Sequence, residues 1–315
     1  MQKKERVIKT IQFDNPDRIP IWHFNRDQLD GDILSYELSP YRGGKVKKSE
    51  WGFEWENLGD GTVGQPKEPI IQYWDILKSF EIPNALSKER FNDLPKLKGM
   101  SDHHYLIGEL GITGFNTYTF LRGFQNAMMD FILDKKRCCY LLDKIFEFEN
   151  QLIHSASEYS FDGIHFADDW GTQKNLMISP ELWREIFKPR YKLQFDKIHN
   201  LGMQVWFHSC GNIELIVEDF HEIGVDVLNI SQPNVVDINA VGKKLKGKQC
   251  FMLPISYQTI SISGTSTDIK NEARRLFNTL GTDSGGFIGY VEDYNILGMS
   301  ENNYQNCISA FKELI

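Results

Sequence analysis

The sequence predicts an α/β fold, a single (β/α)8 TIM barrel, and three observations carry that prediction. Apolar runs of strand length alternate with longer amphipathic stretches. A chain of 315 residues suits one large barrel. No glycine-rich phosphate loop follows the first strand, which weakens an open dinucleotide-binding sheet. Alternation on this scale implies a parallel sheet with right-handed crossovers.

Strands are expected at 19–22, 106–112, 163–167, 204–207, 225–230, 250–253 and 286–289, where short apolar runs stand between turn residues. Ser179-Pro180-Glu181 is a helix start, with an N-cap hydroxyl, proline at the first position and an acid in the first turn. Leu182, Trp183, Ile186 and Phe187 follow at helical spacing, and Pro189 should kink or divide that helix. Further helices are expected at about 135–160, 212–223, 236–246, 267–281 and 300–314. Residues 41–75 read as a β-hairpin excursion near the barrel mouth, with its turn at Gly59-Asp60-Gly61. No repeat, linker or low-complexity tract interrupts the chain, so residues 1–315 are expected to form one domain.

Composition excludes several function classes. A formal charge of −8 and a pI near 5.6 argue against a nucleic-acid surface, which needs clustered Lys and Arg. Five scattered cysteines do not read as a disulfide framework, so a reduced, cytoplasmic setting is expected. Neither a signal peptide nor a membrane span is apparent in the sequence.

Chemistry concentrates at the ends of the later strands. His208-Ser209-Cys210, closing the run Gln204-Val205-Trp206-Phe207, sets an imidazole and a thiol two residues apart on extended chain. Both then project from one side and can reach one soft cation such as zinc, or else pack in the core. Asp168 and Asp169 follow the run ending at Ala167, and Ser231 and Gln232 follow the run ending at Ile230. Polar groups at successive strand ends converge on one cavity in a barrel. The two acids can serve as metal ligand, general base or cation clamp, or cap a helix N-terminus. Trp22, Trp55 and Trp170 could wall the pocket, with core packing the commoner use of tryptophan.

Taken together, the segments Asn15-Pro16-Asp17-Arg18-Ile19-Pro20, Leu121-Arg122-Gly123-Phe124, Asp168-Asp169-Trp170-Gly171-Thr172-Gln173, Ile178-Ser179-Pro180-Glu181-Leu182-Trp183, His208-Ser209-Cys210-Gly211-Asn212, Gln232-Pro233, Gly285-Gly286-Phe287 and Ser300-Glu301-Asn302 form an ordered set along nearly the whole chain. The sequence resembles the uroporphyrinogen decarboxylase superfamily, and within it the zinc- and corrinoid-dependent methyltransferases more than the true decarboxylase. Where the decarboxylase carries an arginine pair for its polycarboxylate substrate, this chain offers Arg26 alone, beside Asp27.

The resemblance implies a zinc site held by His208, Cys210 and a later cysteine, but no cysteine stands near residues 286–294. Asp168, Asp169, Glu292 and Asp293 are the candidates for the third ligand, and Glu292 or Asp293 is favoured because they occupy the later position. The implied activity moves a methyl group between a small methylated donor or a thiol and the corrinoid of a separate protein. Asp168 or Asp169 would orient substrate or donate a proton, and Gln232 would hydrogen-bond substrate. Two alternatives stand beside it: a decarboxylase-like lyase gripping a small carboxylate with Arg26 or Arg122, and a non-catalytic ligand-binding barrel.

Overall fold

Side-chain alternation along each strand divides the apolar residues between two faces, and closing the sheet turns one of those faces inward. A computed structural model describes residues 1–40, 48–56, 65–99 and 103–314. In chain order its strands are β1 (Ile21–His23), β2 (Ile33–Glu37), β3 (Trp55–Glu56), β4 (Gln65–Pro66), β5 (Tyr105–Ile112), β6 (Gly163–Ala167), β7 (Gln204–Ser209), β8 (Val227–Ile230), β9 (Cys250–Pro254) and β10 (Phe287–Val291). Eight of them form one sheet in the order β1-β10-β9-β8-β7-β6-β5-β2, with every pairing parallel. This is the (β/α)8 barrel expected.

At the seam between β1 and β2 the Asp32 N–H donates to the Ile21 carbonyl at 2.8 Å, and the Ile21 N–H donates to the Asp32 carboxylate at 2.9 Å. Asp32 is fully buried, and Arg6 at 2.6 Å and Arg18 at 2.8 Å neutralise it. Arg18, in the Asn15–Pro20 segment, therefore serves to close the barrel.

The helices used below are α1 (Lys3–Ile11), α2 (Leu94–Gly99), α3 (Gly114–Arg122), α4 (Phe124–Leu133), α5 (Lys135–Ser157), α6 (Pro180–Ile186) and α7 (Lys188–Asn200). Pro189 does divide its helix: α6 ends at Ile186 and α7 begins at Lys188. Helices at Val217–Glu222, Ile238–Leu245, Ser266–Leu280 and Glu301–Lys312 fall where the periodicity places them. Sequence reasoning missed β2. In the excursion, β3 pairs antiparallel with β4, and Phe53 and Trp55 pack edge-on against Phe120 of α3. The expected turn at Gly59-Asp60-Gly61 lies outside the described residues.

Inside the barrel Trp22, Ile33, Tyr105, Ile107, Trp206, Val227, Cys250, Met252 and Ile288 fill the lower layers, and Val7 and Ile11 of α1 pack against the same group. The outward strand residues, such as Ile164, Phe166, Phe207 and Leu228, join the larger core under the helices. Trp170 and Trp22 are core residues, each fully buried. The cysteines are free, and among the described residues no helix is long and apolar enough to cross a membrane.

One buried acid gives the fold a pH dependence. Glu149 of α5 accepts from the Gly114 N–H at 2.8 Å and from Gln194 at 2.8 Å. Burial pushes its carboxyl up to about 7 from the usual 4.5. Between those values the folded chain keeps a proton that the unfolded chain has released, so Glu149 lowers stability as pH rises from 4.5 to about 7. The full loss is roughly 3 kcal/mol. Glu149→Gln, which cannot ionise, is expected to gain stability relative to the native chain across that window. Urea midpoints at pH 5 and pH 8 measure this, and a gap between the two proteins that does not change with pH would refute it.

Candidate metal centre and cavity

In parallel strands the register decides which side chains become neighbours. Ala167 of β6 pairs with His208 of β7, and His208 pairs with Asn229 of β8. Two residues beyond each member of the first pair stand Asp169 and Cys210, still side by side: the Cys210 N–H donates to Asp169 Oδ1 at 2.8 Å. His208 Nε2 lies 3.5 Å from Cys210 Sγ and 3.6 Å from Asp169 Oδ1. Asp169, His208 and Cys210 thus offer a nitrogen, a sulfur and an oxygen within 4.8 Å of one another. A tetrahedral zinc with ordinary bond lengths would separate its nitrogen and sulfur ligands by about 3.5 Å, and its nitrogen and oxygen ligands by about 3.3 Å. The three side chains fit a divalent cation of that kind.

The imidazole is oriented from behind. Asn229 donates its amide to the Met252 carbonyl at 2.8 Å, so its oxygen faces His208 Nδ1 at 2.5 Å and must accept. The proton therefore sits on Nδ1 and the lone pair of Nε2 points toward Cys210 and Asp169. Asn229→Leu removes that constraint and is expected to weaken zinc binding about 10- to 100-fold with the fold kept. Competition against a chromogenic chelator measures it, and unchanged affinity would show that Asn229 does not orient the ring. Partial burial, and next the Asp169 carboxylate, push the Cys210 thiol well above its ordinary value. A bound cation would offset both effects and favour the thiolate.

Backbone contact holds the two ligand loops together. Gly211 has φ +77°, and a Cβ there would stand 2.1 Å from the Gly171 carbonyl carbon. A Cβ on Gly171 would stand 2.3 Å from the Asn212 nitrogen. Neither position can carry a side chain without parting the loops that bear Asp169 and Cys210.

His208, Cys210 and Asn229 open on a cavity of about 480 Å³ at the carboxyl ends of the strands. Its lining includes Glu109 of β5, His165 of β6, His208, Cys210, Asn229 and Tyr290 of β10. Glu109, His165 and Asn229 were not singled out in the sequence, although each is a polar residue on the inward side of an apolar strand.

Several expected site residues stand elsewhere. Asp168 is fully buried, and its carboxylate accepts from the Phe115 N–H at 2.9 Å, the Asn116 N–H at 2.7 Å and the Tyr191 hydroxyl. It anchors the N-terminus of α3 and does not reach the cavity, which corrects its expected role toward substrate. Gln232 is also buried; its oxygen accepts from the Gly211 N–H at 2.9 Å and its amide donates to Tyr257 at 2.9 Å. It positions the Cys210-Gly211 turn from behind. Glu292 and Asp293 line the cavity but fall outside the ligand group, because β10 stands three strands around the barrel from β7. Glu292 accepts from the Tyr290 hydroxyl at 2.8 Å, and Asp293 pairs with Arg26 at 3.2 Å. The acid that the barrel brings to His208 and Cys210 is Asp169, and neither of the two acids favoured joins that group.

With this geometry in view, comparison with known proteins gives the chain its place. Residues 102–291, more than half of the chain, match the family described as uroporphyrinogen decarboxylase (URO-D). The chain belongs to the URO-D family. Among solved structures, a methyltransferase from Methanosarcina mazei is similar to this URO-D family member, with a TM-score of 0.74 and 13% identity over 99% of each chain. The GH18 chitinase ChiB from Flavobacterium johnsoniae gives a TM-score of 0.44 at 8% identity, over 94% of this chain and 95% of its own. At these identities the first likeness concerns the fold, and no curated protein matches the chain.

Proposed function

We propose that this URO-D family member is a zinc-dependent methyltransferase, moving a methyl group between a small methylated molecule or a thiol and the corrinoid of a separate protein. The observation that carries the reading is the Asp169, His208 and Cys210 group, two of whose members, His208 and Cys210, line the cavity. The fold-level likeness to a methyltransferase supports it.

In this reading His208 Nε2, Cys210 Sγ and an Asp169 oxygen hold the metal, with Asn229 fixing the imidazole and Gln232 fixing the turn after Cys210. Zinc held there would supply Lewis acidity, either to keep a thiol as its thiolate or to draw electrons from the heteroatom that carries the methyl group. The cavity walls orient the methylated molecule and exclude water, so that the methyl carbon breaks from its heteroatom, the electron pair staying there, as it bonds to the acceptor. A corrinoid protein would approach across the mouth, where Ile296 and Leu297 line the cavity and remain exposed.

The carboxylate-gripping alternative loses its cations. Arg122 is buried, pairs with Asp130 at 2.7 Å and lies 4.1 Å over the Trp74 ring. Arg26 pairs with Asp293 and Glu301. The non-catalytic reading rested on a missing third ligand, which Asp169 can supply.

The test is elemental analysis of protein purified without added metal, followed by screening of methyl donors with corrinoid proteins. About one zinc per chain and donor-dependent methylation of the corrinoid are expected. A chain that takes up no zinc even after reconstitution would overturn the proposal.

A further inference from the structure

Tyr257, just past the end of β9, lines the same cavity as His208 and Cys210. Gln232 fixes its hydroxyl. The Gln232 oxygen is taken by the Gly211 N–H at 2.9 Å, so its amide N–H faces the Tyr257 oxygen and donates to it, also at 2.9 Å. A phenol that accepts through its oxygen still holds a proton to give, and Tyr257 gives it to no carboxylate or carbonyl among the described residues. Stacking on Tyr294, with 4.7 Å between ring centroids, locks the ring. Ser231 faces both the Tyr257 oxygen and the Cys210 sulfur, which places the phenol one side chain away from the metal-ligand group.

Building on the cavity's proposed role as a methyl-transfer site, we infer that Tyr257 is a further catalytic residue, whose hydroxyl gives its proton to an oxygen atom as that oxygen loses a methyl group. An ammonium or sulfonium donor releases a neutral amine or thioether, and a thioether releases a thiolate that a soft cation holds unaided. An ether or alcohol releases a strongly basic oxygen, which needs a proton. In the balanced step the carbon–oxygen bond breaks with its electron pair left on oxygen, and the reduced corrinoid of the separate protein supplies the pair for the new bond to carbon. The Tyr257 proton moves to the oxygen. The phenolate left behind accepts the Gln232 N–H and recovers its proton from water at the mouth. Burial, and next the neighbouring Cys210, push the Tyr257 hydroxyl above its ordinary value, so it arrives protonated and suits a basic oxygen.

Absorbance titration of the full chain with 4-nitrophenolate, a chromogenic oxygen anion, tests the donor, with nitrobenzene as a probe of similar shape that lacks the oxygen. The native chain is expected to bind 4-nitrophenolate at least about tenfold more tightly than Tyr257→Phe does. Nitrobenzene, followed by calorimetry, should bind both alike, and their urea midpoints should agree. Tyr294→Phe, which removes the neighbouring hydroxyl, should keep the native affinity for both probes. With free cob(I)alamin as acceptor, Tyr257→Phe is expected to slow methyl transfer from anisole about a hundredfold. From 4-nitroanisole, whose oxygen leaves as a weaker base, the loss should be about tenfold or less. No binding of 4-nitrophenolate by the native chain, equal binding by Tyr257→Phe, turnover of neither ether, or equal slowing of the two would each overturn the inference. Zinc measured in the same samples separates the two proposals. Tyr257-dependent binding and turnover without zinc refute the metal-dependent reading and sustain this one, whereas zinc without that dependence does the reverse.

Discussion

Cys210→Ser is expected to remove zinc and methyl transfer together, each by about a hundredfold or more. Loss of a supporting residue behind a ligand already costs 10- to 100-fold, and Cys210 is itself a proposed ligand. The substitution should leave the barrel standing, because the sulfur sits at a cavity wall where only partial burial depends on it, whereas strand pairing and the core lie below. Metal content, turnover and the urea midpoint of the variant, set beside those of His208→Ala, decide the matter. If Cys210→Ser unfolds the chain while metal content stays constant, the cysteine is structural and the proposed mechanism is wrong.

Asp168→Ala should act in the opposite way, on stability first. The carboxylate is the acceptor for two backbone N–H groups at the start of α3 and for the Tyr191 hydroxyl, all in the interior. Each buried donor left without a partner costs about 1–3 kcal/mol, so a loss of about 3–5 kcal/mol is expected after partial relaxation. The urea midpoint should fall with little change in its slope. Asp168→Asn keeps the size and one acceptor oxygen and should lose less. Native stability in Asp168→Ala together with abolished activity would return this residue to the substrate role that its strand-end position suggests.

How far the sequence reveals this protein depends on what each residue's neighbours share with it. Seven barrel strands are visible as apolar runs, but β2 is not, because Ser35, Tyr36 and Glu37 are only partly buried and interrupt its apolar signal. His208 and Cys210 are legible because strand alternation places both on one side. Asp169 was named among several acids, and only the pairing of β6 with β7 singles it out. That register is a long-range property which spacing within one segment does not encode. The adjacent Asp168 shows the same limit: next-door carboxylates diverge, one into the helix anchor and one toward His208 and Cys210. Asn229 carried a signal that could have been used, a lone amide inside Val-Leu-Asn-Ile, since a polar group in such a strand must find a partner.

The facing glycines at 171 and 211 set how this centre can vary. Each denies the other room for a side chain, so no compensating exchange between the two positions is open. The donor atoms can be swapped in kind, a carboxylate for a thiolate or an amide, while the gap between the strands that carry them stays constant. A metal that prefers a wider cradle would need both loops rebuilt at once. Changes in selectivity should therefore arise from new side chains on an unaltered frame, and the chain should present its ligands at nearly their final spacing before any ion arrives.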